Sequence, residues 1–126
     1  MIDLRNRTKQ LALKIVEFYS DLPKTTEAQI LGRQVLRSGT SIGAHYREAF
    51  RSRSAAEYIS KLEVGIQELE ETNYWLELLE EAKIIQSNQI EFLTKELDEL
   101  IAIFVSCVKS ARQKRRAESG RMKNEE

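Results

Sequence analysis

Single copies of cysteine, proline, histidine and tryptophan are all that this 126-residue chain holds of those four types. Each scarcity removes a class of explanation. Cys107 stands alone in an apolar stretch, so one chain has no disulfide framework and no thiolate metal site, and a reducing cytoplasm is the expected location. With Pro23 the only proline and five glycines in all, the chain lacks the turn chemistry of an all-β domain. His45 is the only side chain suited to act as a base beside Ser38, Thr40, Ser41 or Cys107, and no nucleophile–base–orienter spacing surrounds it. His45 and Glu48 could share a helix face, but a carboxylate-bridged di-metal bundle needs a Glu-x-x-His motif on two helices, and neither is present. No glycine-rich phosphate loop follows a strand pattern. The expectation is a protein that is not an enzyme and carries no cofactor and no metal. No apolar run approaches the ~20 residues needed to span a bilayer, and Met1 to Arg5 show no signal-peptide pattern, so no membrane partner is expected.

What the chain has is leucine, isoleucine, alanine, glutamate, lysine and arginine, the composition of a helical bundle. Its formal charge is zero, from 20 basic and 20 acidic residues, yet the signs are segregated. Residues 1–24 carry net +2, 25–53 net +3, 54–81 net −7, 82–108 net −2 and 109–126 net +4. Such a molecule can meet an anionic polymer through one surface or pair with copies of itself through two.

Apolar residues at three- and four-residue spacing mark four helices. The first runs from Leu4 to about Tyr19 with Asp3 as N-cap, and Ser20 to Lys24 break it around Pro23. The second starts at Thr25 or Thr26 and continues to about Arg53 along Ala28, Leu31, Val35, Gly39, Ile42, Tyr46 and Ala49. Ser38-Gly39-Thr40 could divide it, but the stripe keeps its phase across the glycines, which favours one helix with Gly39 and Gly43 as points of close approach. Ser54-Ala55-Ala56-Glu57 is a capping box opening the third helix, whose stripe runs Tyr58, Leu62, Gly65, Leu69, Thr72, Leu76, Leu79. The fourth starts at Ser87 or Asn88 and keeps heptads from Ile90 to Ala111. The pattern predicts an all-α, elongated, antiparallel up-down-up-down four-helix bundle over residues 1–111, followed by a basic, disordered tail over 112–126.

Arg33, Arg37, Arg47 and Arg51 share the outer face of the second helix with only Glu48 near its edge. Arginine matches phosphate geometry, so this stripe is a candidate nucleic-acid surface, with salt bridges to an acidic neighbouring subunit as the competing reading. Arg112, Lys114, Arg115 and Arg116 add a second basic element without aromatic interleaving, which suits backbone contact rather than base reading. Tyr74 and Trp75 lie among glutamates on the third helix; they either pack at the bundle edge or anchor a subunit interface.

The run Arg37-Ser38-Gly39-Thr40-Ser41-Ile42-Gly43-Ala44, then Tyr46-Arg47-Glu48-Ala49, resembles the signature of small bacterial four-helix-bundle proteins encoded in intervening sequences of large-subunit rRNA genes. The resemblance continues through Ser54, Lys61, Glu68, Glu71-Thr72 and Tyr74-Trp75-Leu76, and covers roughly residues 5 to 105. It implies a four-helix bundle assembled into a ring-like homo-oligomer, a pentamer. The fold is also similar to that of the accessory variability proteins of diversity-generating retroelements, pentameric barrels that bind nucleic acid and a reverse transcriptase. Related sequences often carry Asn where this chain has His45. The combined expectation is a cytoplasmic homo-oligomer that binds RNA or DNA through its arginines, as accessory to a nucleic-acid enzyme such as a reverse transcriptase, with Tyr74, Trp75 and His45 at subunit contacts. The alternative is a protein–protein adaptor whose arginines pair with acids of the adjacent subunit.

Overall fold

Four helices in chain order make up the molecule: α1 (Leu4–Ser20), α2 (Thr26–Phe50), α3 (Ala55–Glu81) and α4 (Ser87–Glu125). The computed structural model describes residues 3–125 and has no strand among them. Each of the first three helices starts on a side-chain cap. Asp3 accepts the Asn6 N–H at 3.1 Å, Thr25 accepts that of Ala28 at 3.4 Å and Ser54 that of Glu57 at 3.1 Å. The Glu57 carboxylate reaches back one residue further than a capping box requires, to the Arg53 N–H at 3.4 Å. At the other end of α3, Lys83 adopts φ 62°. The Lys83 N–H then meets the Glu80 carbonyl and the Ile84 N–H the Leu79 carbonyl, which closes the helix. In the α1–α2 turn the Gln29 side chain donates to the Pro23 carbonyl at 2.8 Å and accepts the Tyr19 hydroxyl at 2.9 Å.

Successive helices run antiparallel, and cross-helix partners show the register. Gly39 lies against Ile15, Gly43 against Thr8 and Gly65 against Phe104, while Arg37 bonds Glu71 and Asn73 bonds Asp98. The α2–α3 pair packs most extensively, whereas α1 and α4 barely touch. The core runs along the axis through Ile15, Val35, Ile42, Leu62, Leu69, Leu76, Leu97, Leu100 and Phe104, all fully buried.

α2 is continuous through Ser38-Gly39-Thr40, so the undivided reading holds. Its hydroxyls are absorbed by its own backbone: Ser38, Thr40 and Ser41 donate to the carbonyls of Gln34, Leu36 and Arg37 at 2.8, 2.7 and 2.7 Å. Ser38 also accepts from the buried Thr72 hydroxyl at 2.8 Å, which ties α2 to α3 inside the core and removes Ser38 as a nucleophile. Gly32, Gly39 and Gly43 form one line facing α1, where an added Cβ would meet Leu22, Ile15 and Thr8. Close helix approach is therefore the role of these glycines; Gly32 belongs with the two expected from the sequence.

Over the tail expected to be disordered, the structure describes helix as far as Glu125. α4 continues there although every residue from Arg112 to Arg121 is exposed. Arg, Lys, Gln, Ala and Glu are good helix formers, and extending a helix already anchored in the bundle needs no new nucleus. At 1.5 Å per residue, α4 is about 58 Å long against about 25 Å for α1, so its last turns project as an arm.

Candidate nucleic-acid interface

The antiparallel topology gathers the start of α1, the end of α2, the start of α3 and the end of α4 at one end of the bundle. Residues 3–11, 42–65 and 104–121 make up that half, with thirteen basic and five acidic side chains, and Glu96 and Glu99 reach Arg7 from its border. The other half, residues 12–41 and 66–103, has six basic and thirteen acidic. A chain with no formal net charge thus folds into a rod with one basic and one acidic end. Fields from clustered like charges add, so the positive potential of the basic end extends over about a Debye length, ~8–10 Å at ordinary salt.

Most cations of the basic end are unspent. Arg5, Lys9, Arg47, Arg51, Arg53, Lys109, Lys114, Arg115 and Arg116 have no acidic partner within 4 Å among the described residues. Arg47 lines a shallow polar depression with Asp3, Arg5, Asn6 and Lys9. Lys114 and Arg115 line a groove between α3 and α4 with Tyr58, Cys107 and Glu118. There, burial beside Cys107 pushes the Tyr58 phenol up to about 12.

The arginine stripe of α2 is divided by its neighbours. Arg37 leans to α3 and bonds Glu71 at 2.6 Å and Glu68 at 3.3 Å, so the acids it pairs with belong to its own chain. Arg33 is exposed but lies in the acidic half. Only Arg47 and Arg51 of the stripe reach the basic end, where Arg116 is also exposed. Arg112 is held by Glu63 of α3 at 2.8 Å. Arg5, Lys9 and Arg53 belong to the same end without any local signal in the sequence, and Lys109 joins them at the start of the C-terminal basic run. The signal that finds them is topological: in an up-down bundle, odd-helix starts and even-helix ends coincide.

The three residues expected at a subunit contact are scattered. His45 Nδ1 lies 3.1 Å from a Glu48 oxygen, and Lys61 of α3 bonds the other oxygen at 2.8 Å. That hydrogen bond from Lys61 holds the Glu48 carboxyl below its usual value. The group is an α2–α3 tie, and among the described residues no three His, Cys, Asp or Glu side chains converge as metal ligands. Trp75 is half-buried against the core, with its indole N–H buried and unpartnered among the described residues. Tyr74 is exposed and sits edge-on to it with ring centres 5.1 Å apart. Trp75 thus packs at the bundle edge with part of its surface open, and Tyr74 beside it is exposed.

Across the thin α1–α4 seam, Arg7 forms a two-pronged bond to Glu96 at 2.7 and 2.8 Å and a further bond to Glu99 at 2.6 Å. The Glu96 bond raises the Arg7 pKa above the ordinary arginine value. Arg7 is thus a structural clamp and is subtracted from the cations of the basic end.

Over residues 2–106 the sequence matches the family described as 23S rRNA-intervening sequence protein. The chain belongs to that family. The intervening-sequence fold is seen in a solved relative, a protein of unknown function from the S23 ribosomal protein family of Bacteroides thetaiotaomicron. It is 36% identical to this chain, with a TM-score of 0.79 over 85% of this chain and 99% of that one. No curated protein matches. Membership accounts for the bundle and for its signature run through α2, and it assigns no ligand to the basic end. Among the described residues no helix is long and apolar enough to cross a membrane.

Proposed function

We propose that this intervening-sequence family member is a non-enzymatic nucleic-acid binder that grips the phosphate backbone of RNA or DNA with its basic end. The observation that carries the reading is the cluster of unpaired cations from α1, α2 and α4 at one end, opposite an end rich in acids. Arginine and lysine left without acids offer the counterion-releasing contacts on which backbone affinity rests. The acidic end repels the same polymer, so the bundle stands end-on to it. This reading replaces the stripe along α2 with a surface made of Arg47, Arg51, Arg53, Arg5 and Lys9 plus the α4 arm. Exposed Leu13, Val16 and Ile30 on α1 and α2 support self-association as part of the same reading. An oligomer multiplies the basic ends presented to one strand, and a cytoplasmic accessory to a nucleic-acid enzyme such as a reverse transcriptase is the role that suits it.

The test is a salt series with generic RNA and DNA. Wild type binds at low salt, and log affinity falls linearly with log salt. Arg47→Ala/Arg51→Ala/Arg53→Ala lowers that slope by roughly 2, from three lost phosphate contacts at about 0.7 each. Arg33→Ala/Arg37→Ala leaves the slope nearly unchanged. Absence of binding at low salt by folded protein, or equal slopes for the two multiple variants, refutes the assignment.

A further inference from the structure

The basic end contains an exposed aromatic ring that backbone binding does not require. Phe50, the last residue of α2, is 59% exposed. Its ring is supported from beneath: Tyr46 lies 6.4 Å away centre to centre, and Tyr46 in turn rests 5.8 Å from the fully buried Phe104. The Arg5 guanidinium sits 5.3 Å from the Phe50 ring centre, and Arg5 also lines the polar depression with Lys9 and Arg47. Arg51 follows Phe50 in the chain, and it and Arg53 are exposed without an acidic partner among the described residues. A rigidly backed aromatic face, a guanidinium over it and unpaired cations around it are the elements that hold an unpaired base together with its phosphates. A lone exposed phenylalanine is ordinary on a protein surface. Here it is the neighbourhood that distinguishes it.

We propose that Phe50 and Arg5 form a stacking platform for an unpaired base, so that the ligand of the basic end is a single-stranded nucleic acid. The inference rests on the nucleic-acid reading above and narrows it to one ligand class. In a duplex the base faces are covered by their neighbours, and Phe50 would gain nothing from it. Stacking is indifferent to sequence because every base has a π-face. The platform therefore selects strandedness and leaves sequence unread.

The molecule supplies its own control. Phe92, near the start of α4, is 56% exposed and carries the Lys14 ammonium 5.0 Å from its ring centre, but it lies in the acidic half. Binding is measured by fluorescence anisotropy with a labelled single strand of about twelve nucleotides and with the corresponding duplex. Wild type prefers the single strand. Phe50→Ala weakens single-strand binding roughly tenfold with an unchanged salt slope, because no phosphate contact is lost. Phe50→Trp retains affinity, and its added indole emission is quenched by the bound strand. Phe92→Ala binds as wild type does, and circular dichroism with light scattering verifies that each variant keeps its fold and mass. Equal affinity of wild type and Phe50→Ala, equal losses for Phe50→Ala and Phe92→Ala, or preference for duplex overturns the platform while leaving backbone binding in place. A change of oligomeric mass in Phe50→Ala with affinity intact assigns the ring to a subunit contact and overturns it too. Failure of wild type to bind either probe refutes the backbone reading itself and the platform with it.

Discussion

Replacing Gly39 with alanine sets two opposing effects against each other, and the structure decides the winner. Alanine is the better helix residue by about 1 kcal/mol, so propensity alone predicts a more stable α2. A Cβ at Gly39, however, would lie 2.5 Å from Ile15 Cδ1, 3.0 Å from Cγ2 and 3.2 Å from Cγ1. Turning the flexible tip aside does not clear the other two atoms, and Ile15 is fully buried. Overpacking of this kind costs about 1–3 kcal/mol, and a contact formed by a main-chain-proximal branch belongs in the upper part of that range. The net expectation for Gly39→Ala is a loss of roughly 1–2 kcal/mol. Urea unfolding followed by circular dichroism measures it. Ile15→Val removes the nearest atom at a cost of about 0.5–1.5 kcal/mol by itself. In the double variant the two losses are less than additive, with a coupling of about 1 kcal/mol. Gly120→Ala is the reference: nothing lies within 4 Å of its Cβ, so there only the propensity gain remains. Gly39→Ala as stable as wild type, or additive losses in the cycle, refutes the close-approach account of the α2 glycines.

Arg7→Ala removes the clamp across the thinnest seam and costs roughly 1–2 kcal/mol; hydrogen exchange accelerates in α1 before it does in α2 and α3. Lys83→Gly relieves a left-handed backbone at φ 62° and stabilises the protein by about 0.5–1 kcal/mol, read as a higher urea midpoint. Tyr58 is raised from 10.0 to about 12, so the unfolded chain loses this proton first and stability falls as pH rises between those values. Alkaline titration of phenolate absorbance loses its latest-ionising tyrosine in Tyr58→Phe, while Tyr46, also raised by burial, remains.

The elements legible in the sequence were those that local spacing controls. Asp3, Thr25 and Ser54 cap their helices because a short polar side chain needs only a backbone N–H two or three residues away. The stripes of α3 and α4 pointed to Leu62, Leu69, Leu76, Leu97, Leu100 and Phe104 as core, and these are fully buried. Depth of burial and the end of α4 were less legible. Of the expected stripes, Leu31, Tyr46, Tyr58 and Ala111 are only half-buried and pack against the core from its edge. The apolar stripe of α4 ends at Ala111, which suggests a limit of order there, yet backbone propensity carries the helix onward without any apolar partner.

Order along the chain and residue spacing were enough to determine the number of helices, their caps and the faces they bury, because those depend on hydrogen bonds and periodicities only a few residues long. The sequence could also show that charge is segregated, but not where it goes. Position along the bundle is set by antiparallel packing, which brings Arg5, Arg47 and Lys109 to one end although about forty to sixty residues separate each from the next. The same packing carries Glu68 and Glu71 under Arg37 and leaves Arg51 without an acid among the described residues. It also rests Tyr46, which supports Phe50, on Phe104 and brings the Arg5 guanidinium over the Phe50 ring. Contacts between side chains so distant in sequence leave no local pattern, and only the folded chain decides which charges neutralise each other and which stay open to a ligand.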